Sequence, residues 1–328
     1  MKFAIVLGAI LLGQQTVAHP GQSVKENAKE VAKRRAYLAN NRRSLAHCTN
    51  TLKPYLRVRD LDTVLATSHK SNLTGITFDS DPSILFSGNN SNSCILTPEV
   101  TQGPYWVQGE LIREDVTESG EGVPLTLHIQ IIDVNTCEPV PQAFLEIWNC
   151  NSTGVYSGVV ANGNGNINDS TNLDKTFLRG IQQSDDEGVV TFETLFPGHY
   201  TGRAVRLPGL NATVNANETI SGGSITHVGQ MFFDQDLITL VETQGPYNSN
   251  TQVLTKNSDD KILAQEAGTV DPVVEYVLLG DNVSQGVFGW LSFGKEIKNL
   301  YNITAAVFWT ENGGVENENA GGAGGQKD

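Results

Sequence analysis

The chain has 328 residues, with 36 acidic against 22 basic side chains and a formal charge of −14. That balance argues against nucleic acid or an anionic membrane surface as a partner, because both would repel it. Length alone admits one large domain or two small ones. The four cysteines form no Cys-x-x-Cys, which leaves no zinc site built of thiolates.

The first residues bear on the compartment. Lys2 precedes the apolar run FAIVLGAILLG and then QQTVA, with Thr16 and Ala18 where a signal peptidase reads. The run is too short for a permanent membrane span and reads as a secretory signal over residues 1–18. The expectation is a secreted protein, with no membrane partner after cleavage and a mature chain starting near His19. Eight Asn-x-Ser/Thr sequons, at Asn72, Asn89, Asn151, Asn168, Asn211, Asn217, Asn282 and Asn302, suit a glycosylated surface. An even number of cysteines suits an oxidising compartment. Cys137 and Cys150 flank a predicted hairpin and are the expected disulfide, which leaves Cys48 with Cys94 by subtraction.

Residues 19–94 read as a helix followed by a linker. Within 23–47 the apolar positions fall near helical spacing, and Ser23 with Glu26 forms a capping box. Its basic clusters read as a solvated helix face. Residues 70–96 are rich in Ser, Asn, Asp and Gly, which is loop composition. From Ile95 the texture changes. In VPLTLHIQIIDV, Leu125, Leu127, Ile129 and Ile131 alternate with Thr126, His128 and Gln130, which is strand periodicity. TCEPVPQ is a turn. AFLEIWNC, EGVVTFETLF, THVGQMFFD, GVFGWLSFGK and NITAAVFW are further predicted strands. Short alternating strands with Gly, Pro and Asn turns predict an all-β sandwich over 95–310, preceded by a short helical region. The Gly- and Asn-rich end, 311–328, is expected to be a disordered tail.

The chemistry rests on tyrosines delivered by tight turns. No nucleophile elbow, phosphate loop or spaced carboxylate pair stands out. Instead Tyr156 closes a W-x-x-N-x-x-G-x-Y-S pattern at 148–157, and Tyr200 stands in a P-G-x-Y-x-x-R pattern at 197–203. Tyr105 lies in GPYW, and GQMFFD follows at 229–234. Taken without further context, phenols after glycine turns could simply hydrogen-bond a loop.

Those segments resemble the intradiol ring-cleavage dioxygenases, in particular their secreted fungal members, over roughly residues 95–310. The resemblance implies Fe(III) held by two tyrosinates and two histidines. It also implies O2 cleavage of a catechol-type aromatic between its two hydroxylated carbons, so the implied partners are a small aromatic diol and O2. By that resemblance Tyr156 and Tyr200 are the iron-binding phenols, and Arg203 and Gln230 are the catalytic residues beside the substrate. Tyr105 lies near the pocket mouth.

The family pattern after that arginine is R-x-x-H-x-H. Here the two histidine positions are Arg206 and Pro208. A guanidinium has no lone pair to give and proline has no ligand atom, and Pro208-Gly209 is expected to break the strand that would carry the pair. His227 and His199 are the remaining candidates to replace the imidazoles. Two explanations stand open. The site has lost its metal ligands, leaving a non-catalytic secreted aromatic-binding or structural module. Alternatively, a local frame or splice error has replaced the His-x-His stretch of an active enzyme, and the mature transcript across 200–212 separates the two.

Overall fold

The computed structural model describes residues 60–77, 79–86, 94–95, 105–133, 135–161, 163–166, 168–203, 206–212, 225–268, 271–295 and 304–318. The signal segment, the 23–47 helix, His19, His47, Cys48, and the sequons at Asn89, Asn217 and Asn302 lie outside them. Among the described residues no helix is long and apolar enough to cross a membrane.

The all-β expectation holds. One five-stranded sheet joins β1 (Cys94–Ile95), β10 (Val287–Lys295), β3 (Pro124–Asp133) and β6 (Val189–Leu195) in that order, with β9 (Glu275–Leu278) also on β10. A four-stranded sheet runs β5 (Arg179–Gln183), β4 (Phe144–Trp148), β7 (Arg206–Ala212) and β8 (Ile225–Phe232). A small third sheet orders β12 (Gly313–Glu316), β11 (Val307–Thr310) and β2 (Val107–Gln108). Its β2 leads out of the Tyr105–Trp106 segment, and so ties the far end of the chain to the tyrosines.

The β3 alternation works as the period-2 rule requires. Leu125, Leu127, Ile129 and Ile131 are buried in one core cluster with Leu145 and Ile147 of β4 and with Val190 and Phe192 of β6. The opposite face departs from expectation, since Thr126 and His128 are buried too. The cover comes from residues read as linker. A short helix, Pro82–Phe86, buries Leu85 in a cluster with Val277, Phe288 and Trp290, with Leu73 and Ile76 packed alongside. Lys70 bridges Tyr276 of β9. Enough leucine and isoleucine stands among the serines and asparagines of 70–96 to seal the outer face of a sheet.

Other expectations need correction. Residues 311–318 are not all tail, because Gly313–Glu316 pairs antiparallel with β11 and Asn317 Nδ2 donates to Ala305 O at 2.8 Å. Cys150 does not pair with Cys137: it keeps a buried thiol that donates to Gly198 O at 3.1 Å. Nor does Pro208-Gly209 interrupt its strand. β7 runs through both residues, with Pro208 opposite Gln230 and Gly209 opposite Gly229 on β8. The ladder to β4 ends at Ile147–Gly209. Pro208 therefore has a ladder neighbour on one side only, the position in which a missing N–H is tolerated.

Candidate functional site

The loop after β4 carries the first tyrosine. Asn151 Oδ1 accepts the N–H groups of Thr153 and Val155, both at 3.0 Å, and folds the chain back on itself. Gly154, at φ +80°, is required, because a Cβ there would collide with the carbonyl oxygen of His199. The second turn is thus pressed on the first, and Gly198 N–H donates to Asn151 O at 3.2 Å. This contact is the physical content of the Asn and Gly in the 148–157 pattern.

Tyr156 is held through its backbone. Its N–H donates to Asn164 Oδ1 at 2.8 Å, and its carbonyl accepts from Asn164 Nδ2 at 2.9 Å and Asn172 Nδ2 at 2.8 Å. Tyr200 and Arg203 bridge across the turn Thr201-Gly202, where Gly202 takes φ +93°.

The three tyrosines singled out in the sequence come together. Tyr105 stacks on Tyr156 at 4.7 Å between ring centroids, and Tyr200 stands edge-on to Tyr156 at 5.6 Å and to Tyr105 at 6.3 Å. All three are 2% exposed or less. Tyr105 is therefore part of the cluster itself. Trp148, Cys150 and Val307 belong to the same apolar group.

Arg203 and Gln230 also meet. Arg203 Nη2 donates to Gln230 Oε1 at 2.6 Å, and Nε donates to Asp260 Oδ2 at 2.9 Å. Asp260 went unnoticed in the sequence. It lies 57 residues from Arg203, and its only local signal is as the cap of the helix Lys261–Ala267, whose Ile262 and Leu263 N–H groups it accepts. The remaining guanidinium nitrogen, Nη1, is buried with no hydrogen-bond partner among the described residues.

Histidine is another matter. His199 is bound on both ring nitrogens, by Glu242 at 2.8 Å and by the carbonyl of Gln252 at 3.0 Å. Burial lowers its pKa, but the bonds to Glu242 and to the Gln252 carbonyl, with the charge of Glu242, together outweigh that and the net shift is upward. This ring has no nitrogen to lend the phenols. His69 is gripped by Asp234 and Asp271, and His128 lies against Phe288. His227 stands opposite Asn211 on β8, and its side chain is outside the described residues. Positions 206 and 208 fall opposite Phe232 and Gln230 in the β7–β8 register. Among the described residues no group of three or more His, Cys, Asp or Glu side chains could hold a metal ion.

A dioxygenase family model matches residues 97–260, which is half of the chain and contains Tyr105, Tyr156, Tyr200, Arg203, Gln230 and Asp260. The chain belongs to the intradiol ring-cleavage dioxygenase family. Among solved structures it is similar to an intradiol ring-cleavage dioxygenase from Tetranychus urticae, at 30% identity and a TM-score of 0.52. That match covers 62% of this chain and 96% of that one. A second dioxygenase crystal structure is also 30% identical, with a TM-score of 0.50, covering 64% and 98% of the two chains. Catechol 1,2-dioxygenase from Acinetobacter sp. ADP1 matches at 19% identity and a TM-score of 0.39, covering 64% and 67%. No curated protein matches. In this intradiol-family chain the phenol cluster and the arginine–glutamine pair are both buried, and the backbone bridge between Tyr200 and Arg203 links them.

Proposed function

We propose that this chain binds a catechol-type aromatic diol in the phenol-walled site and does not cleave it. The observation that carries the reading is the occupancy of β7. Arg206 and Pro208 stand at the two positions where the family resemblance requires imidazoles, opposite Phe232 and Gln230. Two phenols without those imidazoles do not make the family's ferric site, and a guanidinium among the required ligands adds repulsion to the loss of a donor. No step of a reaction is therefore assigned to iron in this chain.

What the residues can do is bind and orient. Tyr105, Tyr156 and Tyr200 pack against one another in a water-poor environment, and an aromatic guest would dock beside or between their rings. Arg203 is fixed by Asp260 and Gln230, and its Nη1 has a proton to give. Leaving such a group unmet costs about 1–3 kcal/mol, and a phenolic or phenolate oxygen would recover it. The apolar leader of residues 1–18 and the sequon density support a secreted protein that meets its aromatic ligand outside the cell.

The test is iron content and the visible spectrum of the purified protein, followed by titration with 4-nitrocatechol. Absent iron, no tyrosinate-to-Fe(III) band and saturable binding are expected. Near-stoichiometric iron with that band, or ring-opened product, would overturn the reading.

One observation favours a second reading. β7 keeps its ladders to both β4 and β8, so the scaffold for a His-x-His pair is in place. A mature transcript that encodes His-x-His across 200–212 would make the natural product an iron-dependent intradiol dioxygenase.

A further inference from the structure

The three phenols come from segments far apart in sequence, and one buried guanidinium touches two of those segments. Arg179, at the start of β5, donates through Nη2 to the carbonyl of Tyr105 at 2.7 Å. Its Nε donates to the carbonyl of Ser157, the residue after Tyr156, at 2.9 Å. Its Nη1 donates to Glu110 Oε1 at 2.8 Å. The side chain is 2% exposed and all three arms of the fork are engaged.

We propose that Arg179, backed by the buried Glu110–Glu146 pair, is the positioning residue that sets Tyr105 against Tyr156 as one aromatic wall. The idea deepens the diol-binding reading and rests on it for the nature of the ligand. The wall is the stacked pair itself, 4.7 Å between centroids and 23° between planes. Without a common anchor, a loop and a strand end would have to hold that spacing independently.

The charge arrangement behind the fork supports a rigid role. Glu110 and Glu146 are both buried, and each perturbs the ionisation of the other. Two interacting carboxyl groups repel when both are charged, and burial disfavours the charge on each, so one keeps its proton even with Arg179 alongside. Burial, and then the charge of Glu110, hold Glu146 well above the usual carboxylate range, which makes Glu146 the neutral partner. Glu110 then balances Arg179. The Trp106 indole N–H donates to Glu146 at 2.9 Å, and Trp106 follows Tyr105, so the network reaches that tyrosine by a second route. A lysine at 179 would keep the charge but could not hold three acceptors in a fixed fork.

The experiment compares Arg179→Lys, Glu110→Gln and Glu146→Gln by near-UV circular dichroism without ligand and by the Kd for 4-nitrocatechol. Arg179→Lys should alter the aromatic signal and weaken binding about tenfold or more. Glu146→Gln should change neither, because an amide mimics a neutral acid. In a Tyr105→Ala background, Arg179→Lys should cost less affinity than in the parent, since one half of the wall it positions is already gone. An aromatic signal and Kd unchanged in Arg179→Lys, or losses that simply add, would overturn the proposal. Should the parent bind no 4-nitrocatechol, the diol reading fails, and the ligand-free signal alone decides the positioning role. If Arg179→Lys does not fold, Glu110→Gln decides, with the same change in aromatic signal expected.

Discussion

Arg203 and Asp260 are joined at 2.9 Å with 3% and 0% of their side chains exposed. The aspartate also caps the helix Lys261–Ala267. Its removal would strand a buried guanidinium and uncap a helix at once. Asp260→Ala is expected to destabilise the fold by about 3–5 kcal/mol. Urea unfolding should show it as a lower midpoint with an unchanged slope, and a loss under about 1 kcal/mol would mean that water reaches Arg203.

The iron prediction follows from β7 being a strand. Arg206→His combined with Pro208→His should raise ferric affinity and bring up a tyrosinate-to-Fe(III) band. Adding Tyr156→Phe or Tyr200→Phe should then diminish or abolish that band. Metal analysis and the visible spectrum check both, and a double variant as iron-free as the parent would show that residues beyond 206 and 208 have changed.

His69 supplies a pH dependence. Burial pulls its imidazole down, but hydrogen bonds and charge from Asp234 and Asp271 prevail, and the pKa rises from 6.5 to about 10. A pKa raised on folding stabilises the protein in full below about 6.5, and the contribution is lost as the pH climbs through about 10. The Tm difference between the parent and His69→Gln should be largest near pH 6 and should shrink toward pH 10, as read by thermal melts across that range. A difference independent of pH would show that the clasp carries no charge.

Tyr247 braces the second turn. Its hydroxyl donates to Phe196 O at 2.6 Å and accepts from Val123 N–H at 3.1 Å. Phe196 immediately precedes the turn that presents Tyr200. Tyr247→Phe should cost about 1–3 kcal/mol by leaving two buried backbone groups short of a partner. A thermal melt measures it, and an unchanged Tm would mean that water replaces the hydroxyl.

Legibility followed range. The inward face of β3 could be read from four alternating aliphatics, because that signal is local and period-2. The meeting of Tyr105, Tyr156 and Tyr200 was legible only through the family resemblance of their turns, since spacing alone does not bring residue 105 to residue 156. Arg179 and Glu146 left no local mark and Asp260 only that of a helix cap, because what distinguishes them is a partner many residues away. Pro208 misled for a related reason. Proline rules describe a strand with neighbours on both sides, and whether a ladder ends at that rung is a property of β4 rather than of β7.

β3 lies between β6, which follows within about sixty residues, and β10, which it meets in parallel from Leu125–Val287 to Asp133–Lys295. Until residue 295 has left the ribosome, the central strand of the main sheet has one bare edge, open to any other extended chain nearby. The nascent chain therefore carries an exposed sheet edge through about half of its own synthesis. A product cut short before residue 287 would keep every phenol of the site and still be a candidate for aggregation.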